Sequence, residues 1–131
     1  MNPKRSNILY LHPADIGRHV EPYGYAVRTP NMQRIAEMGV TFRNAFCTSP
    51  SCSPSRAALP TGQYPVQNGM PALTHQGCLL NDYQKHLVHT LKAAGYFTLL
   101  AGHQHIHPRL TQFTEDGREI TPGEAIGYDL D

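Results

Sequence analysis

An α/β sheet with crossover connections is the architecture this sequence points to. Short apolar runs alternate with helical patterns along the chain, as they do where strands and crossover helices follow one another. Clusters of reactive side chains sit just after the apolar runs. In parallel sheets, ligands gather beyond the carboxyl ends of the strands.

The elements follow in order. "SNILYLH" is a brief apolar run and reads as a strand from Asn7 to His12. "TPNMQRIAEMG" reads as a helix: Thr29 caps it, Pro30 suits its first position and Gly39 its end. Met32, Ile35 and Ala36 fall on one face of that helix. Val40 to Phe46 reads as a second strand, followed by the polar loop "CTSPS". "QYPVQNGMPALTHQGCLLND" has two prolines, two glycines and no period, so it is expected to be an irregular loop. "QKHLVHTLKAAG" reads as a helix with Leu87, Leu91 and Ala94 on one face and Gly95 at its end. His86 and His89 are expected on its surface. "YFTLLAG" reads as a third strand, and "EDGREI" suits a hairpin turn. The end, "AIGYDLD", shows no terminal helix and no charged tail, which suggests a partial chain.

Asp15 follows the first expected strand, Cys52 lies a short loop after the second, and His103 and His105 follow the third. If the strands are parallel, all three clusters meet on one edge of the sheet.

Composition narrows the field. The chain has 131 residues, suited to one domain, and a net charge of +1 with no long basic run. Nothing points to nucleic acid or to an anionic membrane. No apolar run is long enough to span a bilayer. The start lacks a full signal-peptide core, so it reads as mature protein, cytoplasmic by default. Cys47, Cys52 and Cys78 are odd in number, which leaves at least one thiol free in a monomer.

The stretch from Cys52 to Gly62, "CSPSRAALPTG", carries the most chemistry. Ser53 can cap a helix with Pro54 at its first position, and Pro60 and Gly62 end it. Cys52 is then at a helix N-terminus, where free N–H groups and the dipole favour an anion. That field, with Arg56 about one turn on, favours negative charge on sulfur. An anion site with a reactive group at its mouth and a capped helix with an idle cysteine fit these residues equally well.

This stretch resembles the signature of the type I sulfatases of the alkaline-phosphatase superfamily: cysteine-x-proline-x-arginine, then a leucine-threonine-glycine turn. Pro60 stands where that family usually has an aliphatic residue. "SNILYLHPADIG", "TPNMQRIAEMGVTFRNAF" and "HTLKAAGYFTLLAGHQH" resemble further family segments in the same order, from about Ser6 to His107. "YPVQNGMPALTHQG" is most similar to the sulfamidase (heparan N-sulfatase) branch.

The resemblance implies the N-terminal portion of a mixed sheet flanked by helices, lacking the C-terminal metal-binding half and small subdomain. It implies that a maturation enzyme oxidises Cys52 to formylglycine. The hydrated aldehyde then attacks the sulfur of a sulfate ester or sulfamate, plausibly on a glycan. Arg56 would hold the formylglycine and offset developing charge. Cys52 in its modified form and Asp15 would ligate calcium, and His105 would bond the hydrated formylglycine. Relatives are often periplasmic or extracellular.

Two departures stand out. The first of the family's paired aspartates is Ala14 here, leaving Asp15, while Ca²⁺ wants six to eight oxygens. His103 occupies the place of the family lysine. A histidine neutralises sulfate only when protonated, so that role weakens as pH rises through the ordinary imidazole range. Other readings stay open. His103, His105 and His107 point to one side of an extended segment, which suits zinc. A phosphonate or phosphodiester hydrolase can share the same signature. A noncatalytic fragment or degenerate paralogue would bind sulfated ligands or a partner without turnover.

Overall fold

A computed structural model of the chain describes residues 5–108 and 112–131. Residues 1–4, read above for a leader, lie outside it. The fold divides into two compact units, residues 1–45 and 46–131.

In the first unit a 3-10 turn, Glu21–Tyr23, precedes helix α1, Pro30–Met38. Thr29 is the residue before α1, but its hydroxyl does not cap the helix. It accepts from the Glu21 N–H at 2.9 Å, while the Thr29 N–H donates to the Glu21 carboxylate at 3.1 Å. This reciprocal pair ties the turn to the helix start. The expected strands Asn7–His12 and Val40–Phe46 are not formed. Their side chains are exposed, Leu9 at 80% and Phe46 at 86%. A strand forms only where a neighbouring strand takes its N–H and C=O groups, and no described strand pairs with these runs, although the Phe42 carbonyl accepts the Tyr23 hydroxyl at 2.8 Å.

The second unit holds the core. Helix α2 spans Cys52–Thr61, α3 Pro65–Asn68 and α4 Leu87–Ala93. Strands β1, Gln112–Phe113, and β2, Glu119–Ile120, pair antiparallel, as the hairpin turn at Gly117 requires. Helix α5, Pro122–Ile126, follows. The expected mixed sheet is therefore represented by one two-stranded hairpin and a single parallel bridge, Leu99 to Leu130.

Several local expectations are corrected. The segment read as irregular contains α3 and a 3-10 turn, Thr74–Gln76, stopped by Gly69 and Gly77 in left-handed conformation. The tail does carry a helix. Thr121 and Glu124 form a reciprocal capping box at the start of α5, with bonds of 3.1 and 2.9 Å. The second long helical pattern breaks at His86, between a 3-10 turn, Tyr83–Lys85, and α4. His86 is buried, not on the surface, because its Nδ1 accepts the Val88 N–H at 3.2 Å and caps α4. His89 is half-buried against the Ile126 carbonyl at 2.9 Å. Leu87, expected inside, is exposed; Val88 takes the core position.

The core packs Ala57, Met70, Leu80, Val88, Ile106 and Ile126, with Tyr83 and Tyr128 against them. It thus draws α2, α4, α5 and two connecting loops onto one centre. Asn68 locks α3 to the end of α2. Its amide donates to the Thr61 hydroxyl at 3.2 Å and its oxygen accepts the Met70 N–H at 3.0 Å.

Candidate active site

The start of α2 is set by Ser51, which has extended backbone, and not by Ser53. Cys52 is the first helical residue and Pro54 the third. Ser53 is fully buried, and its hydroxyl accepts the Thr74 N–H at 3.4 Å. A serine whose oxygen holds a neighbouring loop is not available to cap its own helix. Pro60 lies inside the last turn, and Gly62 closes the helix with φ 63°. Proline is tolerated there because only the Arg56 carbonyl loses a partner. Cys52 still stands at a helix N-terminus, half-buried, and all three cysteines are free thiols.

Arg56 is one turn into α2. Its Nη1 donates to the His103 carbonyl at 2.9 Å. That bond brings the 103–107 loop onto the helix bearing Cys52, so these two clusters do meet. The His103 and His105 rings lie 4.8 Å apart, tilted by 41°. His105 has φ 57°, the left-handed region, while Ile106 beside it plugs into the core. Partial burial first, then the positive charges of His103, Arg56 and His75, holds the His105 imidazole below its ordinary pKa.

Three of the site residues have a buried neighbour in sequence. Cys52 adjoins Ser53, Arg56 adjoins Ala57 and His105 adjoins Ile106. Polar groups are thereby aimed outward by anchors that point inward.

Gln104 and His75 were missed in the sequence. The Gln104 side-chain oxygen accepts the Ile106 and His107 N–H groups, and its amide donates to the His107 carbonyl at 2.9 Å. It is the internal frame of the histidine loop. His75 sits on the turn that Ser53 holds. Its only sequence signal was a histidine next to a glycine-ended turn.

His107 does not join a metal cluster with His103 and His105. Its ring turns to Tyr83 at 5.4 Å, and its Nδ1 meets the Pro108 carbonyl at 2.8 Å. Asp15 lies in the other unit, exposed, with φ 58°. Among the described residues no three His, Cys, Asp or Glu side chains converge to hold a metal. One carboxylate is too few for calcium, so the residues present do not by themselves make that site.

The sulfatase family model matches residues 6–125. The chain belongs to the sulfatase family. A relative from Bacteroides thetaiotaomicron, "N-acetylgalactosamine-6-O-sulfatase", is 33% identical over 99% of this chain and 26% of its own length. The human "N-acetylgalactosamine-6-sulfatase" is 38% identical over 82% of this chain and 23% of its own. The human "Steryl-sulfatase" is 36% identical over 78% of this chain and 19% of its own. This sulfatase chain thus spans about a fifth to a quarter of these relatives. No solved structure matches it. Family membership implies an alkaline-phosphatase-like α/β fold, of which helices and a two-stranded sheet are present here. It does not single out the sulfamidase branch. No described helix is long and apolar enough to cross a membrane.

Proposed function

We propose that Cys52 is a maturation target and that the protein carrying this sulfatase segment hydrolyses a sulfate ester of a glycan. The observation that supports this most is the Arg56 bond to the His103 carbonyl. It ties the loop carrying two imidazoles to the helix that begins at Cys52 and carries one permanent cation, a set suited to an oxyanion of sulfur. Formylglycine at Cys52 would supply the nucleophilic hydrate. The positive end of the α2 dipole lies at that position and favours negative charge. Arg56 neutralises the sulfate and keeps the histidine loop in place. His105, held below the ordinary imidazole pKa, is suited to accept a proton near neutrality.

The partners on this reading are a sulfated glycan and a formylglycine-generating enzyme. The test is peptide mass spectrometry after co-expression with that enzyme. Replacing the thiol by an aldehyde lowers the Cys52 peptide mass by roughly 18 Da. The shift is expected in the wild-type chain and not in Cys52→Ala. An unmodified Cys52 would overturn the maturation reading and favour noncatalytic binding, with which the lone Asp15 beside Ala14 also agrees.

A further inference from the structure

The loop of residues 103–107 carries both candidate imidazoles, yet among the described residues no backbone-to-backbone hydrogen bond reaches it. Side chains hold it instead. Arg56 donates to the His103 carbonyl at 2.9 Å, and the Tyr83 hydroxyl donates to the Ile106 carbonyl at 3.0 Å. Gln104 makes three bonds where these make one each. Its side-chain oxygen accepts the N–H groups of Ile106 and His107, the latter at 2.7 Å, and its amide donates to the His107 carbonyl at 2.9 Å.

These three bonds run from one side of His105 to the other. A side chain that takes the N–H groups two and three residues on closes a turn around the residue between. His105 is that residue, and its backbone is left-handed, with φ 57°. Few residues with a side chain adopt that region, because the Cβ crowds the following carbonyl oxygen. Such a conformation persists only where its surroundings enforce it. Ile106, buried in the core, anchors the far side of the turn. Arg56 and Tyr83 each fasten the loop at one point, before and after His105, and neither spans it.

We propose that Gln104 is a positioning residue of the candidate site: its side chain holds His105 in the left-handed turn and so fixes where the imidazole is presented. The inference rests on the sulfatase reading for what His105 does there, and not for how it is held. A proton acceptor already fixed in place needs no loop ordering when substrate arrives.

The test is NMR on the 131-residue chain. In the wild type His105 should give the strong contact between its own HN and Hα that a positive φ produces, and ring-to-ring contacts with His103, whose ring centre is 4.8 Å away. Gln104→Leu should lose both. Gln104→Glu, whose carboxylate still accepts the Ile106 and His107 N–H groups, should keep both. Gln104→Asn, one methylene shorter, should behave as Gln104→Leu does and stands in for it if that variant does not fold. A Gln104→Leu chain with a lowered urea midpoint but unchanged His105 contacts would make Gln104 a structural residue only and overturn the proposal. Absence of the contacts in the wild type or in Gln104→Glu would overturn it too, as would failure of both Gln104→Leu and Gln104→Asn to fold. If Cys52 is never converted yet Gln104→Leu releases His105, the positioning role stands and the hydrolase reading falls. If Cys52 is converted and His105 does not move, the reverse holds.

Discussion

Arg56 does two things at the residue scale, and they separate on titration. Its guanidinium holds the His103 carbonyl, and its charge pushes protons off His105. Arg56→Ala should therefore raise the His105 pKa toward the ordinary imidazole value, read by NMR titration. An unchanged value would show that the charge of Arg56 does not reach His105. His86 behaves differently because it is buried. Burial first, then the charge of His89, lowers it from 6.5 to about 4. A lowered folded-state value means the unfolded chain binds the proton more readily. The contribution of His86 is thus whole above pH 6.5, is lost as pH drops to about 4, and changes no further below that. The loss is on the order of 3 kcal/mol. Urea unfolding at both ends of that window checks it, and His86→Asn, which can still cap α4, should flatten the difference.

At the element scale the second unit is held by turns more than by strands. Gly69 ends α3 with φ 89°, and a Cβ there would lie 2.8 Å from the Leu79 carbonyl oxygen. Gly69→Ala should cost more than the roughly 1–2 kcal/mol of holding a side chain in the left-handed region, measured as a lowered urea midpoint. Met70, fully buried, follows directly. Met70→Ala should cost about 2–5 kcal/mol by leaving a cavity among α2, α4 and α5. Both residues lie in a segment whose lack of period concealed its importance. A chain of short turns has no repeating spacing, so burial there is decided one residue at a time.

On the scale of the whole molecule, the apolar runs expected to be strands are the main unsatisfied feature. Ile8, Leu9, Val40, Phe42, Phe97 and Leu99 are all more than half exposed. Exposed apolar surface favours association. The chain alone should self-associate in sedimentation velocity runs as concentration rises, and Leu9→Asp with Phe42→Asp should reduce this. A monodisperse wild-type monomer would contradict that expectation.

The sequence alone singled out Cys52, Arg56, His103 and His105 as candidates, because local signals sufficed. Cysteine, proline and arginine at fixed spacing, a glycine stop and ordered family segments all lie within short windows. It also determined α1, the end of α2 and the hairpin, each marked by proline or glycine. Tertiary structure decided the rest. Ser53 gave up its capping role to hold the Thr74 turn, and His86 went inside because the break before α4 needed a cap. Gln104 and His75 gained their places from loops that dock on α2. Contacts between residues far apart in the chain leave no spacing to read. The runs near Leu9 and Phe42 show the same limit from the other side. A strand's pattern states a preference, and only a neighbouring strand satisfies its backbone.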